Sequence, residues 1–308
     1  MARSNRLRVG RILLSVLLTV LALFYLYCFV CQHMGELDAA DFRPGWLALS
    51  AALLISILAH LFNSWLWWYS LRRMGVDAGF AESYRSWALS RLARYIPGKV
   101  FAYVVRVGLH ESRHRAGSVG VAVVEAITTM GSLILISFLG TAFYWQQLGF
   151  RPEPGLLKIG ALIVLAACLA TLLLWPLGQR LVRRIRSHLS VPTAATWVRL
   201  AGAQVALLLC HAAAFFLLLA GMTQVDWFWY PYVVAAYYIA ALVGQLAVLV
   251  PAGLGVREAS LLALLAPIAG GGVNLLYAVL MIRIVLVGSE LVNAGVALLV
   301  YRITKPAN

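Results

Sequence analysis

Long apolar runs dominate the chain, and polar residues fall almost entirely between them. Runs close to the about 20 residues needed to cross a bilayer core occupy 11–31, 46–71, 118–146, 156–177, 199–221, 230–250 and 276–301. Shorter or broken apolar material fills 82–110 and 257–269. A backbone in lipid must satisfy its own polar groups, so these runs predict helices. Two breaks interrupt the pattern, Arg94-Tyr95-Ile96-Pro97-Gly98-Lys99 and Pro251-Ala252-Gly253-Leu254-Gly255-Val256-Arg257-Glu258, about half a chain apart. Each sets Pro and Gly inside membrane-length apolar sequence. Such breaks persist only where protein or a water-filled cavity surrounds them, and a matched pair, one per half, points to a transport site.

Composition sharpens this picture. The 308 residues are 63% hydrophobic and 12% charged, against about 45–50% and about 25% in soluble domains. The chain reads as an all-α polytopic membrane protein with no length left for a separate soluble domain. The net charge of +14 therefore has a membrane reading before a nucleic-acid one, and no nucleic-acid partner is expected. Segment 11–31 is longer than a usual signal-peptide core and lacks a small-residue cleavage site, which predicts a retained first helix. Cys28 and Cys31 form a C-x-x-C without a second pair, and Cys168 and Cys210 stand alone in apolar runs, so no disulfide or metal framework is predicted.

Basic residues orient the spans. Arg3, Arg6, Arg8 and Arg11 mark the N-terminus, Arg72, Arg73, Arg113 and Arg115 flank the first break, and Arg180, Arg183, Arg184, Arg186 and Arg199 fill the central connection. Arg302 and Lys305 mark the tail, while 32–45 and 147–158 are sparse or acidic. The positive-inside rule then puts both termini in the cytoplasm. Segment 82–110 begins and ends on the cytoplasmic side and 230–269 on the other. This predicts two inverted-topology repeats, 1–150 and 151–308, each with a Pro/Gly-broken re-entrant hairpin. Between them, 178–198 reads as a basic amphipathic cytoplasmic linker, with Leu181, Val182, Ile185 and Leu189 alternating with arginines. It suits either an anionic-lipid surface or an ordinary positive loop. The cluster Trp227-Phe228-Trp229-Tyr230 and Trp65, Trp67 and Trp68 read as interfacial belts.

Candidate chemistry gathers at the breaks. Arg91 and Arg94 precede the first, Lys99 follows it, and Arg106 lies two turns on. A helix starting at Gly98 would turn free N–H groups toward the break and favour an anion. At the second, Gly253 and Gly255 precede Arg257 and Glu258 at another helix start. Two such ends with their cations suit a phosphate, although Arg91 and Arg106 read equally as residues that snorkel to the interface. Within spans, Glu125, Arg283 and Glu290 are costly ionisable groups. They could pair with one another, meet a lipid headgroup, relay protons, or form purely structural pairs. His110-Glu111-Ser112-Arg113-His114 formally matches His-Glu-x-x-His, a zinc-protease signature. Its basic setting and the lack of a third ligand other than His188 speak against it, and no metal or cofactor is expected.

Arg91-x-x-Arg94-Tyr95-Ile96-Pro97-Gly98-Lys99-Val100 and Pro251 through Glu258 resemble the two signature loops of the lysylphosphatidylglycerol synthase transmembrane-region family. This is the flippase-like domain also found at the N-terminus of multiple peptide resistance factors. Glu125 falls where that family commonly carries Glu-Arg-x-x-Asp, with Ala126 and Thr129 here in place of Arg and Asp, and Arg283 matches a recurrent Arg of the last helix. The resemblance implies a membrane module linked to movement of charged or glycosylated lipids, without the synthase domain of bifunctional members.

The expectation is therefore a non-enzymatic inner-membrane flippase. An anionic or polyprenyl-phosphate-linked headgroup would be held by Arg91, Arg94, Pro97, Gly98, Lys99, Pro251, Gly253, Gly255, Arg257 and Glu258. Glu125, Arg283 and Glu290 would serve coupling or charge pairing. The alternatives are an integral glycosyl- or phosphotransferase acting on polyprenyl-phosphate lipids, which would rely on Glu258 and Glu125, and a non-transporting partner of a lipid-biosynthesis enzyme.

Overall fold

A computed structural model describes residues 45–95, 101–144, 193–246, 253–270 and 272–304. Every regular element among them is helical. We number the α-helices α1 (Trp46–Arg73), α2 (Phe80–Leu92), α3 (Phe101–Gly108), α4 (Ser112–Tyr144), α5 (Ala194–Met222), α6 (Tyr230–Leu246), α7 (Val256–Ala269) and α8 (Val273–Thr304). Single 3-10 turns at Ala93–Tyr95 and Trp227–Trp229 extend the end of α2 and precede α6. Among the described residues, α1, α4, α5, α8 and the Trp227–Gln245 stretch are long and apolar enough to cross a membrane. The protein is a multi-pass, all-helical membrane protein. The predicted spans in the described regions differ from these helices by a few residues at their ends, except at the start of α4, which begins six residues before its apolar run.

Local chemistry sets the boundaries. Helix α1 closes in a Schellman motif: Val76 N–H donates to the Leu71 carbonyl (2.9 Å) and Gly75 N–H to that of Arg72 (3.2 Å). Gly75 makes the turn possible with φ +81°. Thr193, whose hydroxyl accepts from Thr196 N–H, caps the start of α5.

Two apolar cores hold the bundle. One joins α5, α6, α7 and α8 through Phe215, Phe216, Val233, Leu261, Leu265 and Val279. The other joins α1, α2, α4 and α8 through Trp67, Leu71, Tyr84, Trp87, Val121 and Ala297. Small residues let the helices come close, as is usual where lipid leaves packing rather than water exclusion to drive association. On α2, Ser83, Ser86 and Ser90 are fully buried, their hydroxyls satisfied by carbonyls of Gly79, Ser83 and Trp87. Asn293 of α8 ties three helices, accepting from the Tyr84 hydroxyl of α2 and donating to the Ile57 carbonyl of α1.

The helices flanking each break, α2 with α3 and α6 with α7, pack against one another. Pro97, Gly98, Lys99 and Pro251 lie outside the described residues, as do Cys28, Cys31, Cys168, His188, the first predicted span, the 156–177 span and the 178–198 linker. The aromatic belt needs a correction. Trp65, Trp227 and Phe228 are exposed, whereas Trp67 is only 2% exposed and belongs to the second core.

Glycine contacts give a packing test. A Cβ on Gly140 of α4 would stand 2.6 Å from the Pro231 carbonyl oxygen and 2.7 Å from Ala235 Cβ of α6, whereas one on Gly131 meets nothing within 4 Å. Gly140→Ala should cost about 1–3 kcal/mol, the usual range for overpacking, and lower the thermal midpoint in detergent. Gly131→Ala should leave it unchanged or raise it.

Candidate functional site

The most demanding group in the bundle is Glu290, a carboxylate on the apolar helix α8 whose side chain has no solvent exposure. An isolated buried charge of this kind is untenable unless it is paired and hydrogen-bonded. Three residues on two consecutive elements supply partners. Arg91 of α2 lies 3.2 Å away, and Arg94 of the following 3-10 turn 2.8 Å away, both on Oε1. The Tyr95 hydroxyl donates to Oε2 at 3.1 Å and receives Arg94 at 3.0 Å. The two guanidinium groups exceed the one carboxylate by a single positive charge. Arg91 and Arg94 keep 28% and 23% of their side-chain exposure, so the cations, not the carboxylate, meet whatever enters. Among the described residues, Arg94 Nε and Trp87 Nε1 are buried without a hydrogen-bond partner.

Behind Glu290 stands a histidine pair that the sequence reading missed. His211 Nδ1 of α5 lies 3.0 Å from the Leu207 carbonyl, which can only accept, so with neutral rings Nδ1 carries the hydrogen. His211 Nε2 then accepts from His60 Nδ1 of α1, 3.2 Å away. His60 Nε2 is left with a bare lone pair, unpartnered and 3.7 Å from Glu290 Oε1. A proton placed there would turn the contact into an ion pair. A histidine in the middle of an apolar span was the available signal.

The other ionisable residues form separate pairs. Arg106 of α3 reaches Glu125 of α4 at 2.5 Å and Ser90 of α2 at 3.0 Å, with the rings of Trp67 and Trp87 5.1 and 5.8 Å from its guanidinium carbon. At 5% exposure Arg106 is buried, which replaces the snorkelling expectation. Arg283 of α8 pairs with Glu258 of α7. Glu258 also accepts the Gly255 N–H at 2.7 Å, so this carboxylate occupies the positive end of α7 that the sequence reading offers to an incoming anion. Glu125, Arg283 and Glu290 are thus not paired with one another.

At the second break, Gly253 and Gly255 adopt φ +67° and +81°. A Cβ on Gly253 would collide at 2.8 Å with Gly244 of α6. That close approach starts α7 beside α6 and lays the Arg257 guanidinium carbon 4.5 Å from the Tyr237 ring centre.

The His-Glu-x-x-His segment does not form a protease frame. Helix α4 begins at Ser112, so His110 precedes it, and the Glu111 N–H donates to Glu82 at 2.8 Å. Glu82 Oε1 also lies 3.1 Å from His110 Nδ1 and 3.2 Å from His114 Nδ1. Burial raises the Glu82 carboxyl, but hydrogen bonds from His110, the Glu111 N–H and His114 outweigh it and hold the group at about 2.

A multi-pass helical protein with buried arginine–carboxylate pairs beside two glycine-containing breaks is the class these observations define. The chain belongs to the lysylphosphatidylglycerol synthase TM region family, whose pattern matches residues 8–289. The match agrees with the resemblance carried by the two break motifs. No curated protein matches the chain.

Removing the Glu290 charge should test the centre. Glu290→Gln leaves two guanidinium groups without their counter-charge, a loss of about 3–5 kcal/mol for a buried pair. The partial exposure of both arginines places it toward the lower end. Glu125 is 21% exposed and faces one arginine, so Glu125→Gln should lower the thermal midpoint less.

Proposed function

We propose that the protein is a lipid flippase of the bacterial inner membrane. It moves a phospholipid or polyprenyl-phosphate-linked glycan whose headgroup is anionic. The observation that carries this reading is the positive excess at Glu290: two partly exposed arginines against one buried carboxylate, with Arg94 Nε still unpartnered. A phosphate brings the missing negative charge and acceptor oxygens that guanidinium groups bind in pairs. Arg257, beside Tyr237, supplies a cation from the second half, and Lys99 a further one from the first break. Family membership and the membrane-helical fold suit a lipid-related transporter. In this reading the halves 1–150 and 151–308 are inverted repeats, with both termini cytoplasmic. The helices around each break gate alternately while the lipid tails remain in the bilayer.

Protons are the coupling ion in this proposal. The bare His60 Nε2 facing Glu290 is a place to receive one, and Glu290 can exchange its hold on Arg91 and Arg94 for that proton when the headgroup arrives. A transferase reading has no observation in its favour, because Arg106 and Arg283 already engage Glu125 and Glu258, the carboxylates it would need.

Purified protein in liposomes should accelerate transbilayer exchange of a headgroup-labelled anionic phospholipid or polyprenyl phosphate. Arg94→Ala and Arg257→Ala should each slow it about 10-fold or more, as expected for loss of a charge-assisted contact. Protein-independent exchange rates, or variants as fast as the parent, would sink the proposal. Under an imposed pH gradient, His60→Gln should flatten the response of the rate while leaving lipid binding in place.

A further inference from the structure

Glu82, His110 and His114 lie away from the Glu290 centre and have no part in the proposed transport. Glu82 lies in the first turn of α2, His110 in the connection between α3 and α4, and His114 in the first turn of α4. All three are buried, at 6%, 1% and 7% exposure. One nitrogen from each imidazole and one carboxylate oxygen lie within 4.8 Å of one another.

We propose that these three side chains bind a divalent transition-metal ion, with Zn²⁺ the best fit. The argument begins at Glu82 Oε1. It faces His110 Nδ1 at 3.1 Å, His114 Nδ1 at 3.2 Å and the Glu111 N–H at 2.8 Å. Three nitrogens on one oxygen exceed its two lone pairs. A cation seated among the ligand atoms relieves that crowding. Around a tetrahedral ion with bonds of about 2.0–2.1 Å, neighbouring ligand atoms stand about 3.3 Å apart, close to the two separations found here. The oxygen then keeps the Glu111 N–H as its hydrogen-bond donor, and both imidazoles bind through Nδ1 lone pairs.

The outer contacts fit such a site. His110 Nε2 lies 2.9 Å from Ser86 Oγ, and that hydroxyl donates to the Ser83 carbonyl at 2.9 Å. The Trp67 indole N–H also points at Nε2, at 3.4 Å, so without an ion Nε2 accepts and Nδ1 carries the hydrogen toward Glu82. Taking up the ion moves that hydrogen to Nε2, where Ser86 Oγ can accept it and the long Trp67 contact is given up, which frees Nδ1 for the metal. Of the nearby cations, Arg85 and Arg115 reach the carbonyls of Leu109 and His110 at 2.8 and 3.1 Å, and Arg113 pairs with Glu111 at 3.0 Å. They brace the connection and leave the carboxylate available. Two imidazoles and a carboxylate are a borderline-soft set that suits Zn²⁺ rather than Mg²⁺ or Ca²⁺, with a fourth position for water. The ion would fasten the first turn of α2 to the start of α4, closing the base of the α2–α3 pair. Its role is a structural clip.

The test uses full-length, tag-free protein in detergent, stripped with chelator and titrated with Zn²⁺ and, separately, Co²⁺. Expected are one equivalent of Zn²⁺ per chain, a raised thermal midpoint and the visible absorption of tetrahedral Co²⁺. Glu82→Gln and His114→Ala should abolish binding. The milder Ser86→Ala should weaken it about 10-fold, as outer-contact substitutions do, and keeps the test decisive if the ligand variants fold poorly. Absence of stoichiometric binding by the parent, an octahedral Co²⁺ spectrum, or parent-like affinity in Ser86→Ala together with either ligand variant would overturn the proposal.

Discussion

Glu290 places a full negative charge on an apolar helix with no water to share it, and the neighbouring helices are arranged around that requirement. Helix α2 stops where it does so that Arg91, on its last turn, and Arg94 and Tyr95, on the 3-10 turn, can all reach one carboxylate. A continued α-helix would swing Arg94 and Tyr95 to different bearings. The irregular backbone before Ile96 is therefore part of how the charge is accommodated, in keeping with the rule that non-helical chain survives in membrane proteins only within protein or beside a polar cavity. One turn along α8, Asn293 joins α1 and α2 to the same face, fixing the frame in which the cluster sits.

The same logic recurs at smaller scale. Arg106 with Glu125 and Arg283 with Glu258 each link two helices through a guanidinium and a carboxylate. Burial makes such pairs weak sources of stability but strict about geometry, since losing either partner strands the other. They differ in what else they satisfy. Glu258 doubles as the cap of α7, and Arg106 lies among indole rings. Among the described residues, the Glu290 group sets two partly exposed guanidinium groups against one buried carboxylate, which separates it from a one-to-one structural pair.

Much of the helical layout was legible because a membrane span announces itself by length and hydropathy alone. The breaks were legible because Pro and Gly interrupt that signal, and the costly residues Glu125, Arg283 and Glu290 because charge is rare in it. Partner choice was not legible. Which carboxylate meets which arginine depends on the rotation of each helix about its axis, and an apolar surface on every side gives little periodicity from which to read it. Arg283 was therefore not assigned to Glu258, although both stood in the sequence as candidates. His60 and His211 were missed because a single imidazole carries no spacing pattern. The role of Glu82 depends on a chain reversal that brings residues 82 and 114 together, and no local motif encodes that meeting.

The imbalance at Glu290 also has an electrical side. With two guanidinium groups and one carboxylate, the centre carries one positive charge. In the proposed cycle a monoanionic headgroup cancels that charge and the proton that arrives with it restores it. A membrane potential exerts about 2.3 kcal/mol per charge per 100 mV across its full depth. Because the centre would carry the same charge with and without its cargo, the voltage would pull equally on both legs of that cycle, and the pH gradient rather than the potential would set its direction.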